Sequence, residues 1–294
     1  MEGVAYIDGT YVPIAEARIP ILDWGFLRSD ATYDVVHVWR GSFFRLSDHV
    51  ERFLRGVGRL HLRLPVEREE LEEILAECVR RTGLRDAYVE MICTRGLPTP
   101  GSRDPRQAHN AFYAFAIPFV WIADEAQRER GLSLHISPRE RISSRSVDPT
   151  TKNYHWLDLT QGLYDAYDAG ADTVVLVDSA GNVVEGPGFN LFAIAGGALA
   201  TPAEGVLDGI TRRTVIELAN ERGLAVREGA VPAQAVREAD EVLITSTAGG
   251  VIGVTSIDGA PVGDGLLGPV TRSLADAYWR LHEDPRHATR VVYP

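Results

Sequence analysis

An α+β fold of two domains is what this sequence of 294 residues predicts, and three observations carry it. The length suits two domains of ordinary size, each with its own core. The first third alternates hairpin patterns with amphipathic helical stretches. After Pro118 the segment FVWIADEAQ reads as a crossing, and LSLHIS then resumes strand character. The expected division is a small N-terminal domain over 1–119, a linker over 120–127 and a larger C-terminal domain over 128–294.

VAYIDGTYVPIAEARI alternates apolar and polar residues about Asp8-Gly9, the pattern of a β-hairpin, and a second hairpin surrounds Arg40-Gly41. From Ser47, an expected N-cap, the apolar residues Val50, Phe53, Leu54, Val57 and Leu60 recur at helical spacing. A second amphipathic helix spans about 67–82 and is closed by Gly83. Strands at about 87–95 and 110–119 complete the first domain. The second half reads as a strand, a loop bearing Lys152, a helix over 155–169, a strand over 173–178 and a hairpin over 183–199. A helix over 210–222, short strands and a C-terminal helix near 269–282 follow, with no internal repeat or low-complexity tract.

The composition, 45% hydrophobic and 24% charged, is that of an ordinary globular protein. MEGVAYIDGT has neither a basic n-region nor a long apolar core, so no secretory signal is expected. The longest apolar stretch, Ala111 to Ala123, is too short to span a bilayer and contains Pro118. Two cysteines, Cys78 and Cys93, exclude a disulfide-dense framework and suit a reducing cytoplasm. No CxxC metal motif occurs, and a net charge of −11 without a basic block argues against nucleic acid. These exclusions leave an enzyme acting on small molecules.

Of the 30 cationic side chains, 29 are arginine and one, Lys152, is lysine. A compositional bias explains the arginines, since surface cations exchange easily. It does not explain the exception. Guanidinium stays protonated near neutral pH, whereas a desolvated lysine can lose its proton and form a Schiff base with an aldehyde. A position needing that chemistry demands lysine.

Three further segments carry candidate chemistry. VVEGPGFNLFA at 183–193 puts Glu185 at a strand end before a Gly-Pro-Gly turn that brings backbone close to its neighbours. A glutamate there is usually a surface residue; its chemical alternative is an acidic partner for a pyridinium nitrogen. VLDGITRRTVIEL at 206–218 opens a helix at Gly209, Ile210 and Thr211, where free amides and the helix dipole suit a phosphate, although most such starts merely cap themselves. TSTAGG at 245–250 offers a turn of hydroxyls and glycines.

Together with SDHVERF at 47–53 and PTTKNYHW at 149–156, these segments resemble the fold-type IV pyridoxal-phosphate family of branched-chain and D-amino-acid aminotransferases over nearly the whole chain. The matching pieces are the HxxR pair His49 and Arg52, Lys152, EGxxxN from Glu185 to Asn190, and LxGITR at 207–212. The resemblance implies a small α/β domain and a larger domain with a β-barrel-like core. It implies pyridoxal 5′-phosphate as cofactor, with pyridoxamine 5′-phosphate as its intermediate form, carried as a Schiff base by Lys152. Arg52, Ser246 and Thr247, with the backbone of Ile210 and Thr211, would hold the phosphate; Glu185 would meet the pyridine nitrogen and Leu207 one ring face. His49 would brace Arg52. A cytoplasmic homodimer with shared active sites is also implied, with no nucleic acid or membrane partner.

A closer match is to (R)-selective amine transaminases, which ARIPILDWGFLRSDATYDV, LRDAYVEMICTRGL and DPTTKNYHWLDL resemble. Where branched-chain enzymes carry Tyr-x-Arg to bind a substrate carboxylate, this chain has Tyr88-Val89-Glu90. A carboxylate there would repel an amino acid and admit an amine, unless Glu90 points away into a salt bridge. The keto-acid acceptor still needs a cation. Arg103, Arg106 in the loop 97–107, and Arg28 in LRSD are candidates, each equally readable as a surface cation. Tyr33, Tyr88, Trp156, Phe26 and Ala248 are expected pocket walls. The implied reaction passes an amino group from an (R)-configured primary amine to a keto acid such as pyruvate in two half-reactions. The alternatives are a D-amino-acid or branched-chain aminotransferase and an enzyme similar to aminodeoxychorismate lyase.

Overall fold

The computed structural model describes residues 2–294. The chain sorts into two compact units: one contains the residues up to Val120 together with Thr151–His155 and His282–Pro294, the other Trp121–Thr150 and Trp156–Leu281. The expected division at 119 and 128 does not anticipate the two later segments that pack with the first unit. The expected linker over 120–127 runs into a capped helix, Glu125–Arg130, in which Asp124 and Gln127 form a reciprocal capping box.

The first unit holds a seven-stranded antiparallel sheet. Its order is Ala288–Arg290, Ser42–Phe44, Ala31–Trp39, Ala87–Leu97, His109–Pro118, Val4–Ile7 and Thr10–Pro13. Both expected hairpins are present. The helices Leu46–Arg59 and Arg68–Thr82 cover one face, burying Val50, Phe53, Leu71 and Leu75 against Val36, Val38, Val89 and Met91. Cys78 and Cys93 lie free and buried in this core. Alternation then sends Tyr33, Tyr88, Glu90 and Ile92 to the opposite face. That partition positions the site.

Two boundaries differ from expectation for physical reasons. The helix at 46–59 starts not at Ser47 but after Arg45, whose left-handed backbone (φ 53°) turns the chain directly from the strand Ser42–Phe44 and lets Leu46 reach the core. The Ser47 hydroxyl instead accepts a hydrogen bond from Arg68. The hairpin expected over 183–199 is Asn190–Ala195 with Ala198–Thr201, because within that stretch only Gly196-Gly197 supplies two consecutive positive φ values, 55° and 77°. Asn182–Val183 belongs to an earlier turn and pairs with Thr173–Val177 and Val231–Pro232.

The second unit is built on a ten-stranded mixed sheet. At its centre Asn190–Ala195, Glu241–Ser246 and Gly250–Ile257 run antiparallel, while Leu132–Glu140 joins Gly250–Ile257 and Thr173–Val177 in parallel. Leu134, Val175, Leu191, Ile244 and Val254 form its core on one face. The helices Leu157–Asp168, Ile210–Glu221 and Pro269–Arg280 pack with this unit. Among the described residues no helix is long and apolar enough to cross a membrane.

Gly96 sits at the irregularity between the strands Ala87–Leu97 and His109–Pro118, at φ 69°, and a Cβ there would collide with the His109 carbonyl. Gly96→Ala is expected to lower stability by about 2 kcal/mol or more, the left-handed penalty plus the clash. Urea unfolding of the two proteins measures it.

Candidate active site

In the first unit the main-chain carbonyl of Lys152 accepts two hydrogen bonds from one strand, from the Tyr33 N–H at 3.2 Å and the Thr32 hydroxyl at 2.8 Å. Asn153 braces the loop by donating from its side-chain amide to the Thr151 carbonyl and accepting from the His155 N–H. The lysine Nζ stands 4.6 Å from the Tyr33 ring centroid, and Tyr154 stacks on that same ring at 4.2 Å, nearly parallel. Tyr154 also donates to Glu90 Oε1 at 2.7 Å, while Tyr88 donates to Oε2 at 3.3 Å. Lys152, Tyr33, Tyr88 and Glu90 therefore come together as the sequence suggests, and Tyr154 joins them.

Glu90 is buried, and its carboxyl has the donors that burial demands. Burial raises its pKa above the ordinary value, with the Tyr154 hydroxyl, the Lys152 charge and the Tyr88 hydroxyl pulling the other way. Burial likewise pushes both phenols up, so they remain donors.

The opposite face of the strand Ala31–Trp39 carries Asp34, fully buried. Arg52 grips it through Nε at 2.7 Å and Nη2 at 2.9 Å, and His49 Nδ1 lies 2.8 Å from its Oδ1. His49 and Arg52 both hold Asp34. One turn beyond Arg52, Gly56 is required, since a Cβ would meet the Thr32 hydroxyl at 2.6 Å and approach Thr151. Arg52 thus rides on the helix face nearest the lysine loop.

In the second unit Glu185 is buried, with Oε1 facing Arg141 Nε at 3.2 Å and Oε2 accepting the Leu207 N–H at 2.9 Å. Arg141 also forms a bidentate pair with Asp158, at 2.9 and 2.7 Å. Gly186 has no room for a side chain because Phe189 and the Val174 carbonyl occupy the space. The helix Ile210–Glu221 begins after Gly209, where a Cβ would strike Asn190. The Asn190 side-chain amide donates to the Leu207 carbonyl, which fixes the turn that presents the first helical amides, those of Ile210 and Thr211. Ser246 donates to the Gly188 carbonyl and accepts from the Ala248 N–H, so its hydroxyl holds the turn, in which Thr247 is half-buried. Ala248 accepts from the Ile122 N–H, and Trp156 caps the helix Leu157–Asp168 beside Gly188.

Arg28 and Arg103 are exposed, with the Arg28 guanidinium 3.5 Å from the Trp24 ring centroid. Arg106 is chelated by its neighbour Asp104. Phe26 is 63% exposed. Sequence reasoning missed Asp34, Arg141, Asp158 and Tyr154. Only Asp34 left a signal, a carboxylate inside the otherwise apolar strand ATYDVVHVW.

The first unit thus carries a primary amine held by its carbonyl and a buried guanidinium, chemistry that suits an aldehyde and a phosphate. The second carries a buried carboxylate braced by an arginine and a helix start closed to any Cβ, chemistry that suits a basic ring nitrogen and a phosphate. The family model for amino-transferase class IV matches residues 31–257. A putative branched-chain-amino-acid aminotransferase of Methanocaldococcus jannaschii is 31% identical over 93% of this chain and 94% of its own. D-alanine aminotransferase of Staphylococcus haemolyticus is 27% identical over 93% and 95%. The crystal structure of the T.th. branched-chain amino acid aminotransferase with pyridoxamine 5′-phosphate superposes with a TM-score of 0.92, at 28% identity and 99% coverage of both chains. The chain belongs to the class IV aminotransferases, the fold-type IV enzymes whose cofactor is pyridoxal phosphate.

Burial tends to raise the Asp34 carboxyl, but the Arg52 guanidinium and the hydrogen bonds from His49 and Arg52 prevail and hold it well below the usual carboxylate range. Burial depresses the His49 imidazole, which keeps it neutral against the pull of Asp34. Both native pKa values lie below the unfolded ones, about 3.9 and 6.5. Their contributions are therefore complete above those values and are lost as pH falls through the native ones. Stability in urea is expected to decline as pH drops from about 7 to 5, and His49→Gln is expected to flatten that segment.

Proposed function

We propose that this enzyme transfers the amino group of an (R)-configured primary amine to a keto acid such as pyruvate, acting as a homodimer. The observation that carries this reading is Glu90, a buried carboxylate held by two phenols on the sheet face that also bears Tyr33 and Lys152. A substrate carboxylate about 5 Å away would cost on the order of 3 kcal/mol at an effective dielectric of about 20. An amine without a carboxylate escapes that cost. Raising the Glu90 pKa by burial lessens the repulsion but puts no arginine in its place to bind a substrate carboxylate.

When bound, pyridoxal phosphate supplies an aldehyde for the Schiff base and a ring that takes up negative charge from the substrate carbon. Lys152 Nζ is the group that moves the proton from substrate Cα. Its carbonyl is anchored to the strand, so the side chain can swing while the backbone stays. Glu185 would accept the ring N–H, and Arg141 and the Leu207 amide keep its carboxylate in place. Each unit brings groups of its own suited to a phosphate: Arg52 in the first, its guanidinium plane fixed by Asp34, and in the second the amides of Ile210 and Thr211 and the Thr247 turn. Arg103, Arg106 and Arg28 are the candidates for the acceptor carboxylate.

A second reading, transamination of branched-chain or D-amino acids, is favoured by what the relatives are named. The two separate on substrate. Turnover of (R)-1-phenylethylamine with pyruvate is expected to exceed that of D-alanine or leucine with 2-oxoglutarate; negligible amine turnover beside brisk leucine or D-alanine turnover would falsify the proposal. Glu90→Gln keeps an acceptor for Tyr154 and removes the charge. It should shift the ratio of kcat/KM toward amino acids by roughly 10- to 100-fold. Lys152→Ala is expected to abolish borohydride-trapped cofactor, because no other lysine exists.

A further inference from the structure

On the same face of the first sheet as Glu90, one step along the strands, lies an apolar cavity of about 300 Å³. Ile7, Ala31, Ile92, Phe115 and Phe26 supply much of its apolar wall, and Thr94 and Tyr113 add hydroxyl-bearing surface on the sheet. Both hydroxyls are already spent: each donates to Oδ2 of the buried Asp23, at 2.8 and 3.1 Å. At the rim, the Arg18 guanidinium donates to the carbonyls of Ala15 and Ala17. The space therefore offers hydrocarbon and almost no free polar group. An apolar cavity of about 150 Å³ suffices for benzene, so this one has room for a bicyclic ring.

Tyr154 stands at the border. Its ring lines the cavity, stacks on the Tyr33 ring whose centroid lies 4.6 Å from Lys152 Nζ, and is pinned by its hydroxyl to Glu90. We propose that this cavity is a binding site for the aryl group of large amine substrates, and that Tyr154 is the partition that limits how much of it a substrate attached near Lys152 reaches. This rests on the amine reading above. Tyr154 determines specificity by occupying space and takes no proton.

The test compares (R)-1-(2-naphthyl)ethylamine with (R)-2-aminobutane in the holoenzyme. Tyr154→Ala is expected to raise the naphthyl-to-butyl ratio of kcat/KM by about 10-fold or more, the scale at which an apolar pocket discriminates added hydrocarbon. Tyr154→Phe keeps the ring and drops only the bond to Glu90, so it leaves the ratio where it was. Adding Ile92→Trp to Tyr154→Ala refills the cavity from its sheet side and reverses the gain. Calorimetric titration with 2-acetylnaphthalene, the ketone product, is expected to follow the same order without any turnover. Should Tyr154→Ala not fold, Tyr154→Leu carries the comparison. A ratio that does not move while both amines react, or that moves equally in Tyr154→Phe, overturns the partition. Absence of turnover with every amine overturns the amine reading instead, and the titration then decides the cavity alone: no gain in ketone affinity on opening Tyr154 rejects it.

Discussion

The carbonyl oxygen of Lys152 is the point on which the site hangs. Its two hydrogen bonds from Thr32 and Tyr33 tie a loop with no regular structure to a strand that is buried along almost its whole length. Once the carbonyl is fixed, the two-residue alternation of the strand does the rest. Tyr33 goes to one face, under the lysine amine, and Asp34 to the other, where Arg52 and His49 hold it. A slip of one residue in the register of Ala31–Trp39 against Ala87–Leu97 would exchange these faces. It would put a carboxylate beneath the amine and a phenol into the helix core. The helix can lie close enough to assist only because Gly56 has no side chain to push Thr32 away.

A second regularity concerns buried charge. Asp34, Glu90 and Glu185 are each removed from water, and each receives donors suited to a different task. Asp34 has a guanidinium in bidentate grip and stays ionised, which aligns Arg52. Glu185 has an arginine on one oxygen and a backbone amide on the other, so its position is set by groups that cannot give up their protons easily. Glu90 takes its hydrogen bonds from phenols, and burial raises it against their pull and that of the Lys152 charge. Asp34 and Glu90, two carboxyl groups equally removed from water, are thus driven in opposite directions according to whether the hydrogen-bond donor is charged.

Legibility in the sequence follows the same physics. Lys152 is readable because arginine cannot do its chemistry, and Glu185, Arg52 and the start at Gly209 are readable because spacing along one local segment carries them. The helices at 46–59 and 68–82 are readable from periodicity, and Gly83 closes the second with φ 69°, as expected. What stays hidden depends on partners far apart in the chain. Tyr154 meets Glu90 across 64 positions and Arg141 meets Glu185 across 44. Neither residue type is unusual in its own neighbourhood. Ser47 reads as a cap because its chemistry suits one, whereas the strand geometry forces the turn at Arg45. The membership of Thr151–His155 in the first unit is invisible for a related reason, since it rests on hydrogen bonds to Thr32 and Tyr33 and not on an apolar pattern.

That last point bears on how such a site is kept both firm and reactive. A lysine whose side chain had to be packed in hydrocarbon would be held by its own methylenes and would lose the freedom to leave and re-form a bond. Here the restraint is placed on the main chain. The carbonyl is bonded twice, Asn153 closes the loop from within, and buried Thr151 anchors its entrance. The side chain beyond Cα lies over the face of Tyr33, an attraction of about a kcal/mol for a cation at a partly exposed site. An interaction of that size orients the amine without trapping it, and it vanishes when the amine is neutral, which is the state needed to take a proton from carbon.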